Sequence, residues 1–177
     1  MKRYHPALVA LHWLLALMLF VALIVGTVAL DPIPESDPTK IDALRSHMIA
    51  GLAIGVLMLI RLVIRLRSTH PPEADIGNAL LNRAAKWAHW GLYLLVFGMV
   101  GSGIAMSAMA GLPPIVFGGS GDPLPASFND LPPRAAHGLF ATLLMLLILG
   151  HIAAAFYHEF VRHDGLIGRM WFGKRLP

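Results

Sequence analysis

The 177-residue chain contains no cysteine. Disulfides, iron–sulfur clusters, thiolate ligation and C-x-x-C-H attachment of a prosthetic group are therefore excluded. Charge is also scarce: Asp, Glu, Lys and Arg make up 14% of residues, against about 25% in ordinary soluble domains. Only 10 residues are acidic, and none lies deep within an apolar run, so a buried His/carboxylate metal site and the midplane acids of many transporters lack support. G-x-x-x-x-G-K-[ST], H-E-x-x-H and G-x-S-x-G are absent, which leaves nucleotide binding and hydrolysis without a basis.

What is abundant is apolar surface. Hydrophobic residues make up 56% of the chain and mean hydropathy is +0.66. Four segments, about 6–30, 45–66, 83–107 and 134–160, reach the ~20 residues that a spanning helix needs. The first follows Lys2 and Arg3 as a signal peptide would, but the run from Ala7 to Leu30 exceeds a signal core of about 7–15 residues. It also carries His12, and we read it as a retained helix. The expectation is an all-α integral membrane four-helix bundle, a single transmembrane domain over residues 1–177.

Cations orient it. Lys2, Arg3, Arg61, Arg65, Arg67, Arg83, Lys86, Arg162, Arg169, Lys174 and Arg175 fall on one side, and Lys40, Arg45 and Arg134 on the other. The positive-inside rule then makes both termini cytoplasmic. The net charge of +4 reflects that asymmetry and does not imply nucleic-acid binding. Of the connections, 31–44 is Pro-rich and acidic, 67–82 holds a Pro-Pro break, and 107–133 is the longest. Loops of that length are usually functional or disordered; this one is apolar enough to fold over the outer end. A-L-H-W (Ala10–Trp13) and W-A-H-W (Trp87–Trp90) form a weak internal echo, although their tryptophans read equally as interfacial anchors.

Six of the nine histidines (His12, His47, His89, His137, His151 and His158) fall within the spans. Ionisable side chains in a membrane mark a functional site by default. His137 and His151, 14 residues apart, return to within about 40° of one direction and are separated by about 21 Å along the helix. Two ligands on one face at two depths suit two stacked metal centres. With no cysteine, these would be non-covalent b-type haems held by histidine. A bis-histidine haem needs two neutral imidazoles at one depth on facing helices. Chain direction puts His47 and His137 in the outer layer. The inner layer holds His12, His89 and His151, one more than a single iron takes.

Gly26 and Gly103 follow His12 and His89 by 14 residues each, at outer-layer depth, where glycine leaves room between helices. Close helix packing is the competing reading, as for Gly51 and Gly55. Arg61 and Arg65 share the face of His47, and an arginine fork suits haem propionates. Snorkelling to the inner surface explains Arg65 as well. Arg45 could serve a propionate on the outer side. His158 lies seven residues past His151, about 10 Å nearer the inner surface. That is too far for the same iron, but within reach of a quinone pocket shared with His89. His5, His70 and His163 are expected to be solvated.

L-H-W at 11–13, H-M-I-A-G at 47–51, R-L-V-I-R-L at 61–66, W-A-H-W-G-L-Y-L-L at 87–95 and the stretch from H-G-L-F-A-T to G-H-I-A-A-A-F-Y-H over 137–158 together resemble the bacterial cytochrome b561 family. These are four-helix di-haem membrane cytochromes that include superoxide oxidase. Similar layouts occur in cytochrome b subunits of formate dehydrogenases and nickel–iron hydrogenases. The resemblance implies two haem b groups, one held by His12 and His151 and the other by His47 and His137. It leaves His89 and His158 for ubiquinone, and implies the bacterial inner membrane. In the superoxide oxidase form it implies electron flow from periplasmic superoxide to ubiquinone. The alternative is a non-enzymatic electron-transfer subunit linking quinone to a partner redox protein. An anionic substrate asks for positive potential. Yet Asp31, Glu35, Asp37, Asp42, Asp122 and Asp130 outnumber Lys40, Arg45 and Arg134 on the outer side, so those three cations would have to converge over the outer haem.

Overall fold

The computed structural model describes residues 3–173; Lys2, Lys174 and Arg175 of the cation tally lie outside the described residues. The described chain is all helical. Helix α1 spans Pro6–Ile24. Proline at its start has no N–H to leave unpaired, and His5 caps it by accepting the Ala7 N–H on Nδ1 at 3.2 Å. His5 is thus a helix cap rather than a solvated residue. The helix runs on through a π-helical turn, Val25–Leu30, in which Thr27 Oγ1 donates to the Leu23 carbonyl at 2.8 Å.

The end of α1 is closed from outside its own sequence. Lys40 is 3% exposed, and its Nζ donates to the carbonyls of Leu30 at 2.9 Å and Ile33 at 2.7 Å. A cation at a helix C-terminus satisfies orphan carbonyls and matches the helix dipole.

Helix α2, Thr39–Arg67, begins six residues before the 45 expected from hydropathy. Asp37 starts it, its Oδ1 accepting from Thr39 N at 2.8 Å and Thr39 Oγ1 at 2.7 Å. Those two bonds hold the exposed Asp37 carboxyl below its ordinary value. Arg65 and Arg67 occupy the last turn, where the dipole favours cations. Helix α3, Ala79–Met109, is capped by Asn78, which accepts from Leu80 N and Leu81 N. The short α4, Leu112–Val116, precedes α5, Pro132–Phe156, which continues as a π-helical turn, Tyr157–Arg162. His163 at φ 53° and Gly165 at φ 67° then reverse the chain into α6, Leu166–Arg169.

Four helices are long and apolar enough to cross a membrane: Pro6–Leu30, Thr39–Arg67, Ala79–Met109 and Pro132–Arg162. Their outward faces stay apolar, with Leu17, Val28, Leu94 and Leu146 exposed, as a lipid-facing surface should be. Backbones pack closely between α1 and α2, α2 and α3, and α3 and α5. Helix α5 is not drawn against α1 or α2 in this way, so space remains between those backbones. Side chains fill it at mid-depth: Leu15, Leu23, Ile54, Met58, Tyr93, Val96 and Leu144 form the core. Leu144 is fully buried and lies seven residues from both His137 and His151, midway between the two histidine levels.

Both ends are covered. At the outer end Leu112, Val116 and Phe128 of the long loop bury against Leu30 and Leu44, so that loop is an ordered cap. At the inner end the C-terminal segment crosses beneath α1. Tyr4 N donates to the Arg169 carbonyl at 3.1 Å, Trp13 Nε1 to the Met170 carbonyl at 2.7 Å, and Arg169 Nη1 to the Pro72 carbonyl at 2.7 Å. The two described ends therefore meet at one end of the bundle.

Replacing Lys40 by alanine removes the donor to the Ile33 carbonyl and leaves the Leu30 carbonyl only the Ile33 N–H at 3.2 Å. Lys40→Ala should cost about 1–3 kcal/mol, read as a lower thermal midpoint in detergent. Lys40→Arg, which keeps the donors, should lose less; an unchanged midpoint for the alanine variant would refute the capping role.

Candidate functional site

Histidines from three helices converge in two layers. In the outer layer His47 of α2 faces His137 of α5, with ring centroids 6.2 Å apart and planes at 73°. In the inner layer His12 of α1 faces His151 of α5 at the same 6.2 Å, with planes at 66°. All four rings are half-buried. A metal–imidazole bond of about 2 Å, with the ring centre about 1 Å behind the nitrogen, puts two imidazoles sharing one metal about 6 Å apart. Both pairs have that spacing.

His89, the surplus inner histidine, sits differently. Its ring lies 5.3 Å from His151, edge-on at 87°, and it is exposed. Its Nδ1 is 2.7 Å from the Ala85 carbonyl. A carbonyl only accepts, so Nδ1 carries the proton and donates.

The outer pair has partners that hydropathy and spacing do not reveal. Ser102 Oγ donates to the Met99 carbonyl at 3.0 Å and lies 3.0 Å from His137 Nδ1. Gly26 and Gly103 do lie at outer-layer depth, each beneath a ring. A Cβ on Gly26 would stand 3.5 Å from His47 Cε1, and one on Gly103 would stand 3.4 Å from His137 Cε1. The glycines thus seat the imidazoles. Gly55, by contrast, packs against Val100, while a Cβ on Gly51 would meet nothing within 4 Å.

Arg61 is half-buried beside the inner layer, within electrostatic reach of His12, His89 and His151. Its Nη1 donates to the Tyr93 hydroxyl, and its guanidinium lies over that ring at 5.4 Å. Arg65 stands over Trp90 at 6.0 Å. Among the described residues neither arginine meets a carboxylate. Tyr93, one turn after His89, could have been found from that spacing; Ser102 had no comparable signal.

Arg45 is placed otherwise than beside an open site. Its Nη1 contacts Asp42 Oδ1 at 2.5 Å and its Nε donates to the Val116 carbonyl at 2.8 Å. Arg134 pairs with Asp31 at 2.6 Å, and Lys40 is occupied as described. The three outer cations are thus separately engaged and form no shared unpaired cluster over the outer layer.

At the inner edge His158 Nδ1 meets Asp164 Oδ2 at 2.5 Å, and Arg162 Nε stands 3.5 Å from the same oxygen. The His158 hydrogen bond, first among the causes, holds the Asp164 carboxyl below its ordinary 3.8. No ring contact joins His158 to His89 among the described residues. His70 packs edge-on against Tyr4 at 5.9 Å, and partial burial followed by the nearby Arg65 charge lowers its pKa.

A family model described as prokaryotic cytochrome b561 matches residues 3–173. The chain belongs to the prokaryotic cytochrome b561 family. It is 30% identical over 177 residues to a "Probable superoxide oxidase CybB" of Yersinia pestis, covering 98% of each chain. It is 27% identical over 173 residues to "Cytochrome b561 homolog 1" of Escherichia coli (strain K12), covering 96% of this chain and 97% of that one. It is also 27% identical over 174 residues to "Cytochrome b561 homolog 2" of the same organism, covering 96% and 91%. The protein is accordingly a multi-pass bacterial membrane protein of an electron-transfer, oxidoreductase-type family whose members bind b-type haem. The donor set fits such a group: two facing imidazole pairs at metal-sharing distance, and a half-buried arginine without a carboxylate.

The glycine seats give a graded prediction. Gly103→Ala places its Cβ in ordinary contact with His137 and should be tolerated, whereas Gly103→Leu should displace the ring. Haem content per chain after purification reads the difference; equal content in both variants would show that the seat is not needed. The Asp164 shift gives a second. A carboxyl whose pKa is lowered on folding stabilises fully above its unfolded value, near 3.8, and loses that contribution as pH falls through the lower folded value. Asp164→Asn should therefore flatten the acid limb of stability below about pH 4, measured by thermal melts across pH.

Proposed function

We propose that the protein is a di-haem oxidoreductase of the bacterial inner membrane, with both termini cytoplasmic, that passes electrons from periplasmic superoxide to ubiquinone. The observation that carries the di-haem reading is the repetition of one geometry at two depths: two histidine pairs, each with centroids 6.2 Å apart. His47 and His137 hold the outer group; His12 and His151 hold the inner one. Bound haem b supplies reversible one-electron carriage.

The chain's own residues do the rest. Arg61 supplies an uncompensated cation beside the inner pair, where propionate carboxylates would meet it. His158, held by Asp164, is the group we assign to the quinone at the inner edge. A ring fixed at Nδ1 can present Nε2 to a quinone oxygen, as donor or acceptor according to its protonation. His89, with Nδ1 committed to Ala85, offers Nε2 on the neighbouring face. The balance is simple: two superoxide ions each lose one electron and leave as dioxygen, while ubiquinone gains two electrons and two inner-side protons.

The choice of superoxide is supported by the relative named a probable superoxide oxidase. One observation favours a second reading. Lys40, Arg45 and Arg134 are each engaged locally, so they supply little free positive potential to steer an anion. An electron-transfer subunit serving a partner redox protein needs no such steering.

Purified protein should carry two haems per chain, and His47→Ala or His12→Ala should carry about one. Stopped-flow mixing of the oxidised protein with superoxide should reduce its haems rapidly, followed by absorbance, and added ubiquinone should reoxidise them. Reduction by quinol but not by superoxide would replace the oxidase with the partner-serving subunit. One haem in the unaltered protein would overturn the paired-histidine reading.

A further inference from the structure

Ser102 is a buried hydroxyl inside the bundle that the transfer of electrons does not itself require. Its two contacts fix its chemistry. The Met99 carbonyl can only accept, so the hydroxyl hydrogen points there, at 3.0 Å. What Ser102 then offers His137 Nδ1, 3.0 Å away, is a lone pair. Nδ1 must therefore carry the proton, leaving the lone pair on Nε2 free. A ring whose far N–H is held by an acceptor is fixed in tautomer and orientation, and is a more basic ligand.

The other three paired histidines lack this device: His47, His12 and His151 make no ring hydrogen bond among the described residues. The inner layer instead has Arg61 nearby, without a carboxylate. A more basic ligand favours the oxidised, more positive iron, and a fixed cation favours the reduced one. Both effects act in the same direction across the bundle.

We propose that Ser102 is a positioning residue that, through His137 Nδ1–H, lowers the reduction potential of the outer haem relative to the inner one and so biases electrons inward. This rests on the two-haem reading. Ser102 touches neither substrate nor iron; it acts through the imidazole.

The test is a spectroelectrochemical redox titration of the full-length protein, with haem content and low-spin EPR recorded on the same samples. In Ser102→Ala one of the two midpoints should rise, corresponding to a three- to tenfold change in the ferric-to-ferrous preference, or about 28–59 mV for one electron. The EPR signal of one component should move with it, because the ring is less constrained. Ser102→Thr keeps the hydroxyl, and threonine in a helix can bond back to a preceding carbonyl. Its midpoints should stay within twofold of the unaltered protein. If the alanine variant loses one haem while threonine retains both, the hydroxyl is again what matters. Unchanged midpoints in Ser102→Ala, or equal disturbance by alanine and threonine, would overturn the proposal. A single haem in the unaltered protein would instead remove the di-haem reading beneath it.

Discussion

Placing a polar side chain among helices that face hydrocarbon is costly unless it finds a partner, and the interior of this protein is arranged around that constraint. Lys40 resolves it by closing the end of α1 on the carbonyls of Leu30 and Ile33. Ser102 resolves it between Met99 and His137, and Arg61 only partly, through Tyr93. The ring nitrogens of His12, His47 and His151 are the remainder among the described residues, with His137 held only at Nδ1. His12 of α1 and His47 of α2 face His151 and His137 of α5 with ring centroids 6.2 Å apart, the separation that a shared metal would need. Such pairs would hold a metal-containing group through their imidazole nitrogens. Membership of a haem-binding family names the class of that group.

The helix pairing follows from the same need. Close backbone packing runs around α1, α2, α3 and α5, while the sides from which His12 and His47 reach α5 stay open. Glycine works at two scales: Gly55 lets α2 meet Val100 of α3, whereas Gly26 and Gly103 let helices approach imidazole rings. One residue type thus brings helices together in one place and seats a ligand in another.

Much of this was legible in the sequence because it is periodic. The 14-residue interval from His137 to His151, and the matching steps from His12 to Gly26 and His89 to Gly103, are helical repeats that any straight span preserves. They yield depth and face without a structure. What could not be read depends on contacts between distant segments or on single side-chain rotamers. Ser102 precedes Gly103 as an unremarkable small residue. Lys40 reads as an outer-surface cation available to an anionic substrate, yet it is buried because helix α2 begins at Thr39 and Lys40 reaches the carbonyls at the end of α1. His5 acts by capping the start of α1 and Asp164 by pairing just past the end of the last span, where hydropathy has no period to detect. Nor could spacing rank the inner histidines: His89 lies 5.3 Å from His151 and His12 lies 6.2 Å from it, and only His89 has its Nδ1 on a backbone carbonyl.

Leu144, fully buried midway between the two histidine levels, has a consequence for the energetics of the membrane itself. Around it α1, α2, α3 and α5 supply no acidic or basic side chain between the layers. Electrons can tunnel through such an aliphatic partition, but protons find no relay in it. In the proposed direction, each electron passing this layer moves toward the negative side of an energised membrane, at a cost that scales with about 2.3 kcal/mol per 100 mV for full traversal. The proton it eventually meets comes from that same side. An insulating leucine layer would therefore make the protein a small generator: part of the redox driving force would be stored as transmembrane voltage instead of being released as heat.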